Sequence, residues 1–277
     1  MLNESDRDAE TLTGSGQRAH YATDENLAKR QSIFRYVDPS ASSGGQPLDR
    51  IPMRDGQRVV DVGCGNGMWL SRLLEGQRAR WAAGLDSSRG MVESARRTAG
   101  PSTALLQADA HALPFLNGAV DGLLAMHMLY HVANLLGALG ELRRVLARDG
   151  WLLVTTNSAA PSAADRLYRD SVASAAGRDL ERIVPALSFN GENGEGDLRR
   201  VFGEVTPADH VLGLSVTEPE ALFTGLDSVR DVVEATIGQP LNWAEVRTEV
   251  VARAEAIIEE TGAFRYEHRT VSYICRF

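Results

Sequence analysis

The sequence predicts an α/β fold, in which helices cover both faces of a doubly wound, mostly parallel sheet. Short apolar runs begin at residues 59, 81, 104, 120 and 151, and amphipathic stretches separate them. This alternation at short intervals is typical of parallel strands that are joined by helices. The chain has 277 residues, 43% of them hydrophobic, so it can bury a core large enough for such a sheet.

The first predicted strand ends in a glycine-rich turn. The strand-forming residues 59–62 are followed by Gly63, Gly65 and Gly67, and an amphipathic stretch follows at helical spacing. The pattern predicts a buried strand, a tight turn and the start of a helix. Glycine accepts positive φ angles and lets a ligand approach the backbone, while the helix N-terminus offers unpaired N–H groups. We therefore expect this turn to hold a ligand.

The spacing of the glycines distinguishes two kinds of ligand. A dinucleotide-binding turn has Gly or Ala at the sixth position of its fingerprint, where this chain has Met68. The spacing is instead Asp61-x-Gly63-x-Gly65-x-Gly67, which resembles motif I of class I S-adenosylmethionine-dependent methyltransferases. The resemblance implies that the turn surrounds the methionine end of S-adenosylmethionine.

Acidic residues end the next two strands. Asp86 stands where a carboxylate can accept both hydroxyls of a ribose, and its alternative role is to cap the following helix. Asp109 resembles the acidic position that recognises the adenine amine in this family; its alternative is a solvated turn. Because the carboxyl ends of parallel strands share one sheet edge, Gly63, Asp86, Asp109 and His127 are expected to meet in one crevice.

The resemblance covers residues 57–156 in order and spacing, and it is to the small-molecule branch of ubiquinone and menaquinone type. It implies a seven-stranded, Rossmann-like methyltransferase sheet with a helical cap insertion. It also implies a set of cofactor-binding residues: Asp61, Gly63, Cys64, Gly65, Gly67, Asp86, Ser87, Asp109, Ala110, His111 and Met126.

Two histidines four residues apart, His127 and His131, are candidate catalytic residues. A histidine that titrates near neutral pH can take a proton from a hydroxyl, phenol or amine as it attacks a methyl group. The alternative is that they hold loop carbonyls by hydrogen bonds. The pair lacks a clear third ligand, so no metal is expected. Tyr21 and Tyr130 are candidate substrate contacts, and the remaining surface or cap candidates are His20, His210 and His268.

The pattern divides the chain into four segments. Residues 1–18 are expected to be disordered, and residues 19–156 to form a lid helix followed by the cofactor-binding core. Residues 157–203 contain helical patterns without a clear strand, which predicts the cap insertion. Residues 204–277 are expected to complete the core with closing strands.

Composition excludes several partners. The net charge of −8 argues against nucleic acid. The apolar stretch 120–140 contains ionisable and polar residues that would be costly in lipid, so no membrane partner is expected. Two cysteines give no disulfide framework, and the N-terminus lacks an apolar signal segment, which predicts a cytoplasmic protein.

The sequence thus predicts methyl transfer from S-adenosylmethionine to an oxygen, or to a nitrogen or carbon, of a small molecule. A secondary metabolite is the expected acceptor, and a monomer or homodimer the expected state. Two alternatives remain open. One is a methyltransferase-like protein that binds the cofactor without turnover. The other is a nicotinamide-dependent oxidoreductase, which predicts a glycine at position 68 and a Tyr/Lys pair that is not apparent.

Overall fold

Eight strands form one sheet in the computed structural model, which describes residues 23–75, 79, 81–101 and 103–277. Their order is β1-β7-β8-β6-β5-β2-β3-β4. The strands from β6 to β4 in this order are parallel, whereas β8 is antiparallel to its neighbours β6 and β7. The strands are β1 Val37–Ser43, β2 Arg58–Val62, β3 Trp81–Asp86, β4 Ala104–Gln107, β5 Val120–Met126, β6 Leu146–Asn157, β7 Glu204–Val216 and β8 Phe264–Arg276.

Helices cover both faces of this sheet, as predicted. Successive residues of β5 show the two faces: Leu123 packs with the helix Leu135–Val145, and Leu124 packs with the helices on the opposite side. A third apolar cluster lies between β7, β8 and the C-terminal helices. The helices are Glu25–Gln31, Met68–Glu75, Arg89–Ala99, Leu135–Val145, Ala163–Ala176, Gly194–Arg199, Pro219–Asp227, Arg230–Ile237 and Trp243–Thr261.

The sheet has one strand more than the seven expected. Residues 39–46 read as a flexible link because they are small, polar and contain a proline. Most of that segment belongs instead to β1, which pairs antiparallel with β7 through Val37 and Leu214. A proline is tolerated because β1 lies at the edge of the sheet, where half of the backbone N–H groups have no partner strand.

Two other predicted boundaries differ from the structure. The turn expected at residues 149–150 lies within β6, where Leu146 pairs with Val120 and Trp151 pairs with Gly122, so the intervening residues bulge outward. The single helix expected over 219–238 is two helices, Pro219–Asp227 and Arg230–Ile237. The buried Ser228 separates them and donates its hydroxyl to the carbonyl of Gly225.

Residues 1–18, expected to be disordered, lie outside the described part of the chain, as do His20 and Tyr21. The segment 157–203 contains the helices Ala163–Ala176 and Gly194–Arg199 and, after Asn157, no strand. The first of these helices packs on Trp243–Thr261. It begins with a capping box, in which Ser162 and Asp165 each bond to the other's backbone N–H.

The topology fixes where a ligand can bind. Strand β2 pairs with β3 on one side and with β5 on the other, so the direction of winding reverses between β2 and β5. In doubly wound sheets the crevice outside the carboxyl ends of such strands is the usual ligand site.

Candidate active site

A cleft of about 2440 Å³ opens at this switch point. Its walls come from the glycine turn, the carboxyl ends of β3 to β6, the first described helix, β8 and the segment after β6. Twelve of the residues predicted to serve the site line it: Gly63, Cys64, Gly65, Asp86, Ser87, Asp109, Ala110, His111, Met126, His127, Tyr130 and His131. Asp61 and Gly67 lie behind the wall, and Tyr21 lies outside the described residues.

The glycine turn is held against the end of β3 by its backbone. The N–H groups of Gly63 and Cys64 both donate to the carbonyl of Leu85, at 2.7 and 2.9 Å. Gly63 has a φ of 69°, and a Cβ atom there would lie 2.7 Å from Cβ of Met128. At Gly67, with a φ of 81°, a Cβ atom would lie 3.0 Å from the backbone of Ala95. Both positions therefore require glycine on conformational and steric grounds.

Asp86 is fixed at the head of the cleft. Its Oδ2 accepts the N–H of Gly65 at 2.9 Å, and its Oδ1 accepts the N–H of Ser88 at 2.8 Å. Burial raises the pKa of the half-buried Asp86 carboxyl, and these N–H groups partly offset the shift. The following helix is capped by Ser88, whose hydroxyl accepts the N–H of Met91, and not by the Asp86 carboxylate. The carboxylate is therefore oriented, and each oxygen keeps a lone pair for a ligand.

Asp61 lies beneath the turn and is fully buried. Neither of its carboxylate oxygens has a hydrogen-bond partner among the described residues. Burial, and then the charge of the nearby Asp86, raise the pKa of Asp61 well above its ordinary value. A buried carboxylate without a partner is costly, so this position favours a cationic neighbour.

Cys64 is a buried packing residue within the turn. Burial raises the pKa of its thiol, and the charges of Asp61 and Asp86 raise it further. A Cβ atom on Gly84 would lie 2.9 Å from the sulfur, so the thiol fills the space beside β3. It is therefore not arranged as a nucleophile, since reactivity requires the thiolate.

Asp109 and His111 form an exposed pair at the far side of the turn. The Oδ1 atom of Asp109 accepts the backbone N–H of His111 at 2.9 Å and lies 2.7 Å from its Nδ1. The other ring nitrogen, Nε2, lies 3.0 Å from the carbonyl oxygen of Asn134. This arrangement connects the end of β4 to the helix that begins after Asn134. Both side chains face the cleft.

His127 lies at the end of β5, deep in the cleft. It has a φ of 54°, a left-handed conformation that is uncommon outside glycine, and its N–H donates to both the carbonyl and the hydroxyl of Thr155 at 3.1 Å. Desolvation by the surrounding protein, and then proximity to His268, lower the pKa of His127 to about 3. Its imidazole is therefore neutral at physiological pH and can accept a proton or a hydrogen bond.

His131 and Tyr130 lie on the following turn, nearer the cleft mouth. Their rings meet edge to face with centroids 4.4 Å apart. The backbone N–H of His131 donates to the carbonyl of Met128, and the carbonyl of Tyr130 accepts the hydroxyl of Ser188. Both rings are half-buried and line the cleft. His127 and His131 thus border the same space.

The expectation for the remaining described histidines was wrong. His210 is buried within β7, where Nδ1 lies 3.0 Å from the carbonyl oxygen of Gly45 and Nε2 lies 2.6 Å from the hydroxyl of Ser272. His268 lines the cleft from β8. The alternation of side chains along the last strand could have indicated this position of His268, because residues 264, 266, 268 and 270 share one face of the sheet.

Tyr168 and Tyr266 also line the cleft and carry no signal that singles them out in the sequence. Tyr168 comes from the helix Ala163–Ala176, and a Cβ atom on Gly225 would lie 3.0 Å from its hydroxyl oxygen. Burial raises the pKa of both phenols. Within the described ranges, no three histidine, cysteine or acidic side chains are grouped as a metal site would require. None of the described helices is long and apolar enough to cross a membrane.

Known proteins share both the motifs and the fold. A family model for the methyltransferase domain matches residues 60–154. Over 208 residues the chain is 30% identical to an uncharacterized 37.1 kDa protein in transposon TN4556 of Streptomyces fradiae, covering 68% of this chain and 59% of that protein. Over 110 residues it is 36% identical to the demethylmenaquinone methyltransferase of Thermus thermophilus, covering 39% of this chain and 48% of the relative.

A solved structure supports the fold over nearly the whole chain. The [4+2]-cyclase SpnF superposes with a TM-score of 0.57 at 17% identity, covering 95% of this chain and 96% of the cyclase. At this identity the likeness concerns the fold alone. The sequence relatives above are spanned over only about half their length. Residues 60–154 therefore form a methyltransferase domain of the matched family, and the motif spacing and the sheet around them are those of the class I S-adenosylmethionine-dependent methyltransferases.

Proposed function

We propose that this chain transfers a methyl group from S-adenosylmethionine to a small-molecule acceptor. One observation carries the proposal: the buried Asp61 carboxyl and the half-buried Asp86 carboxyl lie beside the glycine turn at the head of the cleft. This anionic site suits a ligand that carries positive charge on a sulfonium and an ammonium group. A pyrophosphate would meet like charge there, which disfavours a nicotinamide dinucleotide.

The residues present fit the cofactor in three places. The glycine turn, with Asp61 beneath it, would hold the methionine end. Because neither Asp61 oxygen has a hydrogen-bond partner among the described residues, this carboxylate would be stabilised by a cationic group of the ligand nearby. The oriented Asp86 carboxylate would accept the ribose hydroxyls. Asp109, with Ala110, His111 and Ser87, would border the adenine, and Met126 would close the floor.

When bound, S-adenosylmethionine supplies a methyl group that its sulfonium centre has already activated toward nucleophilic attack. The protein then has to align the acceptor and exclude water. The depth of the cleft at His127, where β5 ends, favours exclusion of water. Tyr130 and His131 border the route from the cleft mouth, and His131 or His127 would take the acceptor proton where one is lost.

The acceptor class and its setting are part of the proposal. The cleft is large enough for a small molecule beside the cofactor, and the net charge of −8 disfavours nucleic acid. We infer methylation at oxygen, or at nitrogen or carbon, of a secondary metabolite by a cytoplasmic monomer or homodimer. The two cysteines are free and buried, which is compatible with a reducing compartment.

A protein that binds the cofactor without methyl transfer is the second candidate. One observation favours it: a solved structure of the same fold is named for a cyclisation. In that case Asp61, Asp86 and the glycine turn would still bind the nucleoside, but the cleft would serve another reaction or none. No observation favours the nicotinamide-dependent alternative over these two.

Two measurements, made one after the other, test the proposal. Calorimetric titration with S-adenosylhomocysteine should give binding at micromolar concentration, and Asp86→Ala should weaken it, whereas the exposed Asp55→Ala should not. Formation of S-adenosylhomocysteine from S-adenosylmethionine is then measured against a library of phenols, alcohols, amines and carbon acids. Absence of nucleoside binding would refute the cofactor assignment. Binding without methyl release across the library would favour the non-catalytic candidate.

A further inference from the structure

The cleft has an inner end away from the glycine turn, where His127 and His268 face the same space. His127 follows β5, and His268 lies in β8, paired in register with Leu212 of β7. Both rings line the cleft, and proximity to His268 contributes to the lowered pKa of His127. Neither ring forms a hydrogen bond with any residue in the described part of the chain. Their nitrogens are therefore open to a ligand.

Two phenol groups complete this end. The hydroxyls of Tyr168 and Tyr266 line the same cleft and, among the described residues, have no hydrogen-bond partner. Tyr168 is contributed by the segment after β6 and Tyr266 by β8, so the two elements close on one space. Both side chains are half-buried and their hydroxyls face the cleft, so they can bond to a ligand there. We call His127, His268, Tyr168 and Tyr266 the acceptor group.

The acceptor group is uncharged at physiological pH. Desolvation lowers the pKa of both histidines, to about 3 for His127. Burial raises the pKa of both phenols. The charge of Asp165 acts on three of these side chains, Tyr168, Tyr266 and His268, and its carboxylate already accepts hydrogen bonds from Ser162.

The other charged side chains in this part of the cleft wall are engaged with the protein. Arg166 donates to the carbonyl of Pro161, Arg169 pairs with Asp170, and Arg269 pairs with Glu267. Arg182, which also lines the cleft, lies 3.6 Å from Glu181, so each of these four arginines has a partner outside the acceptor group. Apolar side chains surround the group instead. The ring of Phe34 meets His268 edge to face with centroids 5.8 Å apart, and further lining comes from Ile33, Leu212, Leu226 and Val229.

We propose that the acceptor group binds an uncharged, ring-containing acceptor through its hydroxyl, and that it rejects carboxylates, phosphates and ammonium compounds. One of the two imidazoles accepts the acceptor's O–H, the phenols donate to its oxygen, and Phe34 covers its ring. This inference rests on the proposed function and narrows its acceptor to neutral phenols and cyclic alcohols. It assigns a binding role to His268, Tyr168 and Tyr266.

Three molecules with one ring system and different charge test this assignment: 2-naphthol, 2-naphthoate and 2-naphthylmethylammonium. Each is titrated into the protein at pH 7 with saturating S-adenosylhomocysteine, by ligand-observed NMR. We expect 2-naphthol to bind at least about tenfold more tightly than either charged analogue, since an uncompensated buried charge is costly. His268→Phe and Tyr266→Phe should each weaken 2-naphthol roughly three- to tenfold, the usual effect of losing one hydrogen bond.

Controls separate this inference from the proposed function. Tyr36→Phe removes a phenol hydroxyl outside the cleft and should leave naphthol binding unchanged. S-Adenosylhomocysteine affinity should be the same in wild type, His268→Phe and Tyr266→Phe, which also verifies folding. If the nucleoside binds but 2-naphthoate binds as well as 2-naphthol, the inference is overturned and the proposed function stands. The inference is also overturned, and the proposed function stands, if 2-naphthol fails to bind below about 5 mM. The outcome is the same if neither His268→Phe nor Tyr266→Phe weakens the binding of 2-naphthol. If the nucleoside itself does not bind, the proposed function fails, and naphthol titration without it tests the acceptor group alone.

Discussion

The two ends of the cleft are built in different ways. At the cofactor end, Asp86 lies directly after a parallel strand, and backbone N–H groups from Gly65 and Ser88 fix its carboxylate. At the acceptor end, His268 and Tyr266 stand within an antiparallel strand, and Tyr168 stands on a helix. Their polar atoms are held by packing and make no hydrogen bonds to described residues. The first end is preorganised by the backbone, and the second is completed by its ligand.

This difference predicts two separable sets of effects. Substitutions at the cofactor end should change affinity for the nucleoside because they disturb an arranged backbone. Substitutions at the acceptor end should change only which acceptor binds. If a substitution at one end strongly altered ligand binding at the other, the two ends would be coupled. They could then not be treated as separate sites.

The largest effect is expected from Gly63→Ala. The added Cβ atom would lie 2.7 Å from Cβ of Met128 at a φ of 69°. We expect S-adenosylhomocysteine affinity to fall at least about 30-fold, because strain and the clash together displace the turn. The control is Gly56→Ala, which has a similar φ of 82° but no atom within 4 Å of the new Cβ. Calorimetry on both variants separates the effect of the contact with Met128 from that of backbone strain. Equal losses of S-adenosylhomocysteine affinity would contradict the role assigned to this contact.

Asp86→Ala is expected to have the next largest effect. It removes the acceptor for the N–H groups of Gly65 and Ser88 and for the ribose hydroxyls. We expect about a tenfold or greater loss of nucleoside affinity, as for hydrogen bonds to a charged group. Asp86→Asn should lose less, since one oxygen remains. An unchanged dissociation constant in Asp86→Ala would rule out the ribose role.

Asp61→Asn should stabilise the ligand-free protein. A carboxyl whose pKa is higher in the folded than in the unfolded state binds its proton more tightly when folded, so its ionisation destabilises the fold. This penalty is absent below the unfolded pKa of about 3.9 and grows as the pH rises to the folded pKa. We therefore expect the substitution to raise Tm by a few degrees at pH 7, roughly 1–2 kcal/mol, with a smaller gain near pH 4. Asp55→Asn is the exposed control.

The same variant should bind the cofactor less well. Replacing the carboxylate removes the charge that favours a cation, so S-adenosylmethionine, with its sulfonium, should lose more affinity than S-adenosylhomocysteine. Equal losses for the two nucleosides would mean that Asp61 does not sense the sulfonium charge.

The smallest effect is expected from Asp109→Ala. The Asp109 carboxylate is exposed, so its interactions are screened by water. We expect a roughly two- to fivefold loss of nucleoside affinity, in the range measured for exposed charges. His268→Phe, at the acceptor end, should leave nucleoside affinity unchanged. A larger loss from His268→Phe than from Asp109→Ala would break the division between the two ends.

The two ends differ in how far they can be predicted from the sequence, for a physical reason. A strand, a tight turn and a helix N-terminus are local, so the positions of Gly63 and Asp86 at strand ends follow from spacing within a few residues. The parallel order of β2 to β6 follows from the same alternation. By contrast, the position of Tyr168 against Tyr266 depends on the packing of Ala163–Ala176 on Trp243–Thr261, which is long-range.

The errors in the fold have related causes. Strand β1 was missed because its residues, such as Pro39 and Ser40, are typical of loops, and only pairing with β7 makes them a strand. His210 was expected at the surface because nothing near it in the sequence shows that β1 and the following turn cover it. Its ring contacts Gly45 and Ser272, which are distant in the sequence. These contacts join residues more than sixty positions apart.

The meeting of Tyr168 from one segment with Tyr266 and His268 from the last strand has a practical consequence for engineering. Exchanging residues 157–203 between related enzymes would move only one wall of the acceptor pocket. The opposite wall would stay with the recipient's β8, so a transplant limited to residues 157–203 would yield a chimaera with mismatched selectivity. Redesign of what the enzyme accepts would have to move both pieces together.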